Sequence, residues 1–190
     1  MIHDIDIALN LVDAPVAHLE AVGARVLSET EDLASARLTF ENGCTVMVKA
    51  SRVAIQKSRK MRIFNKDSYL SLDYIAKTGM LMGFKPGFDR NQIDIKEMAK
   101  LEEDQGSYPL FTKYFSIEQL HVASDEPLKN ELQSFLLSVR TGREPVVTGS
   151  HGLRAIEIAM QIQDKIREQQ RIMEEHRDSG KASPEGTLLD

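Results

Sequence analysis

The sequence has few features of a secreted or membrane protein. Cys44 is its only cysteine, so no internal disulfide can form. That cysteine stands in an apolar alternating run, which predicts a buried thiol in a reducing compartment. No apolar run approaches the roughly 20 residues of a membrane span, and no charged leader precedes a cleavage site. We therefore expect a soluble cytoplasmic protein with no membrane partner.

The sequence also lacks the motifs of several enzyme classes. None of its 11 glycines forms GxGxxG after a strand, GxSxG is missing, and the 5 histidines show no HxxxH or HExxH spacing. These absences argue against a dinucleotide fingerprint, a serine-hydrolase elbow and a metal site. The formal net charge of -5 gives no general attraction to nucleic acid, so a small molecule or another protein is the expected partner.

Between Val16 and Ala123 the hydrophobic pattern has the period of half-buried strands. The strongest hairpin signal is LASARLTFENGCTVMVKAS, in which Asn42-Gly43 turns the chain. Short links make successive strands antiparallel. Further candidate strands are Leu19–Leu27, Arg59–Phe64, Tyr69–Ile75, Met80–Phe84 and Leu110–Val122. The weakly patterned stretch Lys85–Pro109 predicts a long excursion, with a short helix near Ile95–Glu102.

Helical periodicity marks both ends of the chain. The opening MIHDIDIALNLV predicts a short amphipathic helix that ends before Pro15, and Asp125-Glu126-Pro127 predicts the start of a second helix. One apolar face of this second helix holds Leu128, Leu132, Phe135, Leu136 and Val139. A third helix is apolar on nearly every side, which predicts deep burial of Leu153, Ile156, Ile158, Ala159, Met160 and Ile162.

The order of these elements predicts an α+β fold. We expect a mostly antiparallel open sheet of about six strands with the helices packed on one face. The polar composition near the end predicts a disordered tail over residues 178–190, which leaves residues 1–177 as the folded domain.

His3 is the best candidate for chemistry, because histidine exchanges protons near neutral pH. Asp6 lies three residues later on the same helical face and can orient the imidazole. A solvated surface pair on a frayed N-terminus explains the same two residues, and the periodicity alone favours this simpler explanation.

Two further segments have a structural and a functional interpretation. The basic run KASRVAIQKSRKMRIF, which contains Arg52, is typical of a solvated sheet face; if it is functional, a phosphate or carboxylate of a small ligand is its target. In TGSHGLRA, Thr148 and Ser150 precede a helix, where they either bind an anion or, as is commoner, cap the helix.

Taken together, five segments resemble a known family. HDIDIALNLV, DLASARLTFENG, the ASR that follows, EPLKNELQSFLLSVRTGREPVVTG and GLRAIEIAMQI resemble, in this order, the C-terminal domain of the glucose-fructose oxidoreductase, inositol dehydrogenase and rhizopine-catabolism (Gfo/Idh/MocA) family. The resemblance covers roughly Ile2 to Ile166 and implies an α+β domain that carries a substrate pocket and often a subunit interface.

The resemblance implies a catalytic histidine at His3 and substrate contacts from Asp4, Asp6, Asn10, Ser51 and Arg52. In the family the histidine works with an aspartate four residues earlier and a lysine of the first domain. That first domain has the Rossmann fold and binds NAD or NADP. These positions precede His3 by more than this sequence contains, so we expect the N-terminal Rossmann domain to be absent and no cofactor to bind this chain alone.

Two functional hypotheses follow. The first is the substrate-binding and oligomerisation half of an NAD(P)-dependent dehydrogenase acting on a hydroxyl of a sugar, polyol or nucleotide sugar, here as a truncated, mis-started or split product. The second is a stand-alone, non-catalytic sheet module for dimerisation or for binding a ligand or partner. Both predict a homo-oligomer formed through the sheet face, because an open sheet leaves apolar surface exposed.

Overall fold

A computed structural model describes residues 1–88, 113–121 and 126–181. It contains three helices and seven strands in these residues, which confirms the α+β class. In chain order they are α1 (Ile2–Leu11), β1 (Val16–Ala24), β2 (Leu33–Phe40), β3 (Thr45–Ser51), β4 (Lys60–Phe64), β5 (Ser68–Asp73), β6 (Thr78–Phe84), β7 (Phe115–His121), α2 (Pro127–Thr141) and α3 (Gly149–Lys181). The short helix expected near Ile95–Glu102 lies outside the described residues.

The strands form two antiparallel sheets instead of the single sheet that was expected. Sheet 1 has the order β1-β2-β3, and sheet 2 has the order β4-β5-β6-β7. Eight residues without strand structure separate the end of β3 at Ser51 from the start of β4 at Lys60, and these two strands belong to different sheets. The chain correspondingly divides into two compact units: unit 1 holds residues 1–55 and the described residues from 131 onward, and unit 2 holds residues 56–130.

The hairpin of β2 and β3 confirms the strongest sequence signal. Asn42 Oδ1 accepts a hydrogen bond from the Cys44 amide at 3.0 Å, and Gly43 has a φ of 83°, which favours glycine. The expectation of a buried Cys44 is wrong, because the thiol is exposed. The residue belongs to the turn, one position before β3 begins, and therefore has no strand neighbours on both sides to cover it.

The core of unit 1 lies between sheet 1 and two helices. Helices α1 and α3 pack against each other and against sheet 1, so the expected packing of helices on one face is confirmed in this unit. The alternation of β2 points every second side chain toward the helices. The central buried side chains are Ile5, Leu9, Ala36, Leu38, Phe40, Ile158, Ile162 and Ile166.

The expected deep burial of α3 holds on only one side of the helix. Ile158 and Ile162 are buried, but Leu153, Ile156 and Met160 are each more than half exposed. The buried residues recur at the spacing of one helical face and lie over sheet 1, whereas the exposed three project from other sides of the helix. In α2, the apolar face expected around Phe135 is likewise exposed.

Helix α3 continues to Lys181, past the start of the expected tail at residue 178. The rest of that tail, residues 182–190, lies outside the described residues.

A tight turn over residues 25–32, here called the Asp32 turn, ends β1. Among the described residues, Asp32 is the one charged side chain that is buried. Its Oδ2 accepts hydrogen bonds from the amides of Val26, Leu27 and Ser28 at 2.9, 2.7 and 2.9 Å. These bonds hold the pKa of the Asp32 carboxyl well below its usual range. The strand expected to run to Leu27 ends at Ala24 because these amides bind the carboxylate and not another strand.

The close approach of α3 to β1 can be tested at Gly23. A Cβ added there would lie 2.6 Å from Ile166 Cγ2, whereas one added at Gly152 would meet nothing within 4 Å. We expect Gly23→Ala to lower the free energy of unfolding by about 1–3 kcal/mol through overpacking. Gly152→Ala, its matched control, should leave the stability unchanged or raise it, because alanine favours a helix. Urea denaturation of both variants measures this, and equal stabilities would contradict the packing.

Protonation of Asp32 should destabilise the protein in acid. Because folding lowers the pKa of this carboxyl, its contribution is complete above the unfolded-state pKa of about 3.9 and is lost as the pH falls below it. We expect Asp32→Asn to be less stable than wild type at neutral pH, with the difference shrinking as the pH falls from about 5 to about 2. The exposed Glu29→Gln change is the control. A stability difference that stays constant over this range would refute the interpretation.

Candidate functional site

Helix α1 brings three of the predicted site residues to one side. His3, Asp6 and Asn10 follow at intervals of three and four residues, and His3 and Asn10 are exposed while Asp6 is half-buried. On the opposite side, Ile5 and Leu9 are buried in the core of unit 1. The same amphipathic pattern that attaches the helix to the sheet therefore leaves its polar side accessible to solvent.

Asp6 contacts Asn10 and not His3. Asn10 Nδ2 donates to Asp6 Oδ1 at 3.0 Å and to the Asp6 backbone oxygen at 2.8 Å. Within residues 1–88, no hydrogen bond joins Asp6 to His3, so the expected orienting contact is not formed in this state of the chain. Asp4, half-buried, forms an ion pair of 3.3 Å with the amino group of Met1.

Ser51 and Arg52 lie at the other predicted position, the end of β3. Both side chains are exposed. The Arg52 amide donates to the backbone oxygen of Asp32 at 2.8 Å, and its Nη1 donates to Thr30 Oγ1 at 3.1 Å. The Asp32 turn thus holds Arg52 at both its backbone and its guanidinium.

The structure does not join the two groups of predicted site residues directly. Ser51 pairs with Leu33 at one end of sheet 1, while the link after α1 contacts the other end, where the Glu41 amide donates to the Pro15 oxygen at 3.0 Å. Among the described residues, no hydrogen bond or ion pair connects His3, Asp6 or Asn10 with Ser51 or Arg52. Both groups belong to unit 1, so a ligand long enough to contact α1 and the end of β3 could use both.

The sequence did not predict the Asp32 turn, which holds the candidate residue Arg52. Its signal is present in SETED, where Ser28 and Asp32 are residue types whose side chains bind nearby backbone groups in turns. The alternating pattern of the preceding strand continues through residues 25–27. The sequence therefore predicted a strand there and not a turn.

A shallow groove of about 430 Å³ lies between the link after α1 and the first turns of α3. Arg154 Nη2 donates to the Ala14 oxygen at 2.6 Å and so closes one side of the groove. At the start of α3, the His151 amide donates to Thr148 Oγ1 at 3.3 Å. Thr148 therefore caps the helix, in agreement with the simpler of the two interpretations of TGSHGLRA.

The described residues provide neither a metal cluster nor a Rossmann-type cradle. No group of three or more His, Cys, Asp or Glu side chains in the described part of the chain could hold a metal ion. A dinucleotide cradle of the Rossmann type needs parallel strands, whereas every strand pair described here is antiparallel. The described residues thus form no cradle of the Rossmann type. Within the same ranges, no helix is long and apolar enough to cross a membrane.

Comparison with known proteins identifies relatives of this chain. The chain is 27% identical over 162 residues to a UDP-N-acetylglucosamine 3-dehydrogenase of Acidithiobacillus ferrooxidans, a match that covers 85% of this chain and 45% of the relative. A solved structure of the enzyme of that name from the same organism superposes with a TM-score of 0.70 and 28% identity, over 87% of this chain and 47% of the other.

More distant structures share the fold alone. An aldose-aldose oxidoreductase from Caulobacter crescentus superposes with a TM-score of 0.62 and 17% identity, covering 88% of this chain and 44% of that one. The chain therefore spans about half the length of the relatives it matches.

The sequence model of the GFO/IDH/MocA C-terminal domain matches residues 1–70, which include α1, sheet 1 and all the predicted site residues. Together with the superposed structures, this match confirms the resemblance found in the sequence: residues 1–70 are similar to the C-terminal domain of the GFO/IDH/MocA family.

Proposed function

We propose that this chain is the substrate-binding and oligomerisation half of an NAD(P)-dependent dehydrogenase that acts on a hydroxyl of a sugar-like substrate. The observation that carries the proposal is the likeness to the UDP-N-acetylglucosamine 3-dehydrogenase, which extends over 87% of this chain at 28% identity. In this proposal residues 1–177 form the substrate-binding domain.

A nucleotide sugar is the substrate class that the residues favour. The relative's name specifies a UDP-sugar, and such a substrate carries a diphosphate next to its sugar. Arginine is well suited to phosphate because its guanidinium presents several donors in one plane. Exposed Arg52, held through Thr30, offers such a group at the end of β3.

The polar side of α1 supplies the groups that would contact the sugar. Its exposed His3 imidazole can accept the proton of a substrate hydroxyl, the role for which histidine is suited near neutral pH. The Asp6 carboxylate, already bonded to Asn10, can accept hydrogen bonds from neighbouring hydroxyls, and the Asn10 amide can donate or accept them. NAD or NADP supplies the redox chemistry in this family, and we assign its binding to none of the described residues.

The second hypothesis, a non-catalytic sheet module, differs in what α1 does. A module that only dimerises needs the apolar sheet surface but not the polar side of α1. Binding of a UDP-sugar at His3 therefore separates the proposal from a module that only dimerises.

We expect UDP-N-acetylglucosamine to perturb the imidazole of His3. In a titration of chain labelled with ¹⁵N-histidine, the His3 resonances should shift with saturation, because the ligand contacts α1. His18 is the matched control: it is also exposed, but it lies on the outer face of sheet 1, 3.6 Å from Glu20.

Shifts confined to His18, or no shift of either histidine, would contradict the proposed substrate site. His3→Gln should weaken binding without changing the melting temperature, since the His3 side chain is exposed and makes no core contact.

Oligomerisation is the second part of the proposal, and sheet 2 offers the surface. The strand register places six apolar side chains on one of its faces, namely Met61, Ile63, Leu70, Leu72, Leu81 and Leu120. The same face carries the exposed Glu118 opposite Leu81, on the far edge strand from Ile63. We propose that a second copy of the chain covers this face, because one apolar face can pair with its own copy around a two-fold axis.

We expect a dimer in solution that Ile63→Glu dissociates. Ile63 lies on the edge strand of sheet 2 and is 36% exposed, so a carboxylate there would place charge in the apolar contact. Arg62→Glu changes the neighbouring residue on the opposite face and should leave the dimer intact. Light scattering at micromolar concentration measures both, and a monomeric wild type or equal behaviour of the two variants would refute the interface.

A further inference from the structure

We propose that the Asp32 turn positions Arg52 to bind the phosphate groups of the substrate, with Thr30 as the residue that aims the guanidinium. This inference rests on the proposed function, since it names the residues that prepare one part of that site. Neither Thr30 nor Asp32 belongs to the residues predicted from the sequence.

The first step is the double attachment of Arg52 to the turn. Its amide donates to the Asp32 oxygen at 2.8 Å, and its Nη1 donates to Thr30 Oγ1 at 3.1 Å. The first bond holds the backbone where β3 ends, and the second restricts a long side chain that would otherwise sample many rotamers. An exposed arginine is thereby ordered before any ligand arrives.

The second step is the attachment of Thr30 itself. Ser28 Oγ lies 2.9 Å from the Thr30 backbone oxygen, 3.3 Å from Thr30 Oγ1 and 2.8 Å from Asp32 Oδ1. Asp32 Oδ2 in turn accepts three amides of the same turn. Thr30 is thus held by a turn whose centre is a buried carboxylate.

The third step concerns charge. The Asp32 carboxylate contacts the turn's own amides and the Ser28 hydroxyl, and Glu31 lies 4.0 Å from Arg25 Nη2 and 3.4 Å from Gln170 Nε2. Thr30, a neutral acceptor, contacts the Arg52 guanidinium and leaves its charge unneutralised. Within the described residues no carboxylate forms an ion pair with Arg52, so its remaining N–H donors suit a phosphate.

The ordered guanidinium would lower the entropy cost of binding a phosphate. A guanidinium that is already ordered loses less side-chain entropy when it binds an anion, which improves affinity without any new contact. Thr30 is then a positioning residue and Arg52 the residue that contacts the ligand.

Calorimetric titration of the whole chain with UDP-N-acetylglucosamine and with UDP tests the inference. Arg52→Gln should remove most of the affinity for both ligands. Thr30→Val, which keeps the shape but removes the acceptor, should weaken both by about five- to tenfold, within the range of one ordinary hydrogen bond. Thr30→Ser keeps the hydroxyl and should restore binding to near the wild-type level.

A second measurement separates positioning from stability. In chain labelled with ¹⁵N-arginine, the Arg52 Nε–H resonance of the ligand-free protein should show greater mobility in Thr30→Val than in wild type or Thr30→Ser. All three proteins should unfold at similar temperatures, because Thr30 is exposed.

Each other outcome overturns the inference. If Thr30→Val binds as tightly as wild type, Thr30 does not position Arg52, and the proposed function stands without it. If Arg52→Gln lowers the melting temperature but not the affinity, Arg52 serves only to hold the turn. If the wild-type chain binds neither ligand, the proposed function fails and the inference fails with it.

Discussion

The structure of unit 1 depends on the burial of one face of sheet 1 beneath α1 and α3. The alternating side chains of β2 supply that face, and Ile5 of α1 and Ile162 of α3 close over it. At about 25 cal/mol per Å² of apolar surface, burial of this kind is the dominant favourable contribution to folding. It also fixes the rotation of α1 about its axis, because only one side of so short a helix is apolar.

That rotation links the core to the candidate site. With Ile5 and Leu9 turned inward, His3 and Asn10 must face solvent, so the packing of the apolar residues determines which polar groups α1 exposes. The end of β3 is organised differently. Arg52 owes its position to hydrogen bonds within the Asp32 turn, whose buried carboxylate replaces the missing ladder partners of Val26, Leu27 and Ser28. One part of the site is thus placed by hydrophobic burial and the other by polar groups.

Periodicity in the sequence predicted the helices and strands well, but it predicted poorly which strands share a sheet. The hairpin around Asn42-Gly43 and the amphipathic α1 follow from local rules, since turn chemistry and the spacing of apolar residues act within a few positions. The division into two sheets could not be predicted in this way, because alternation within a strand does not show which other strand it pairs with. Cys44 was placed wrongly for a local reason: the alternation of β3 was extended one residue into the turn.

The site residues show the same limit. The spacing places His3 and Asp6 on one side of α1. It does not show that the Asp6 carboxylate accepts its hydrogen bond from Asn10 and not from His3. Nor could it associate Thr30 with Arg52, which lies 22 residues later and meets it only through the end of sheet 1. Helical spacing likewise places the apolar residues Leu153, Ile156 and Met160 on α3, but it does not show whether other residues cover them. Together these side chains form an apolar surface that the described residues of unit 1 leave exposed.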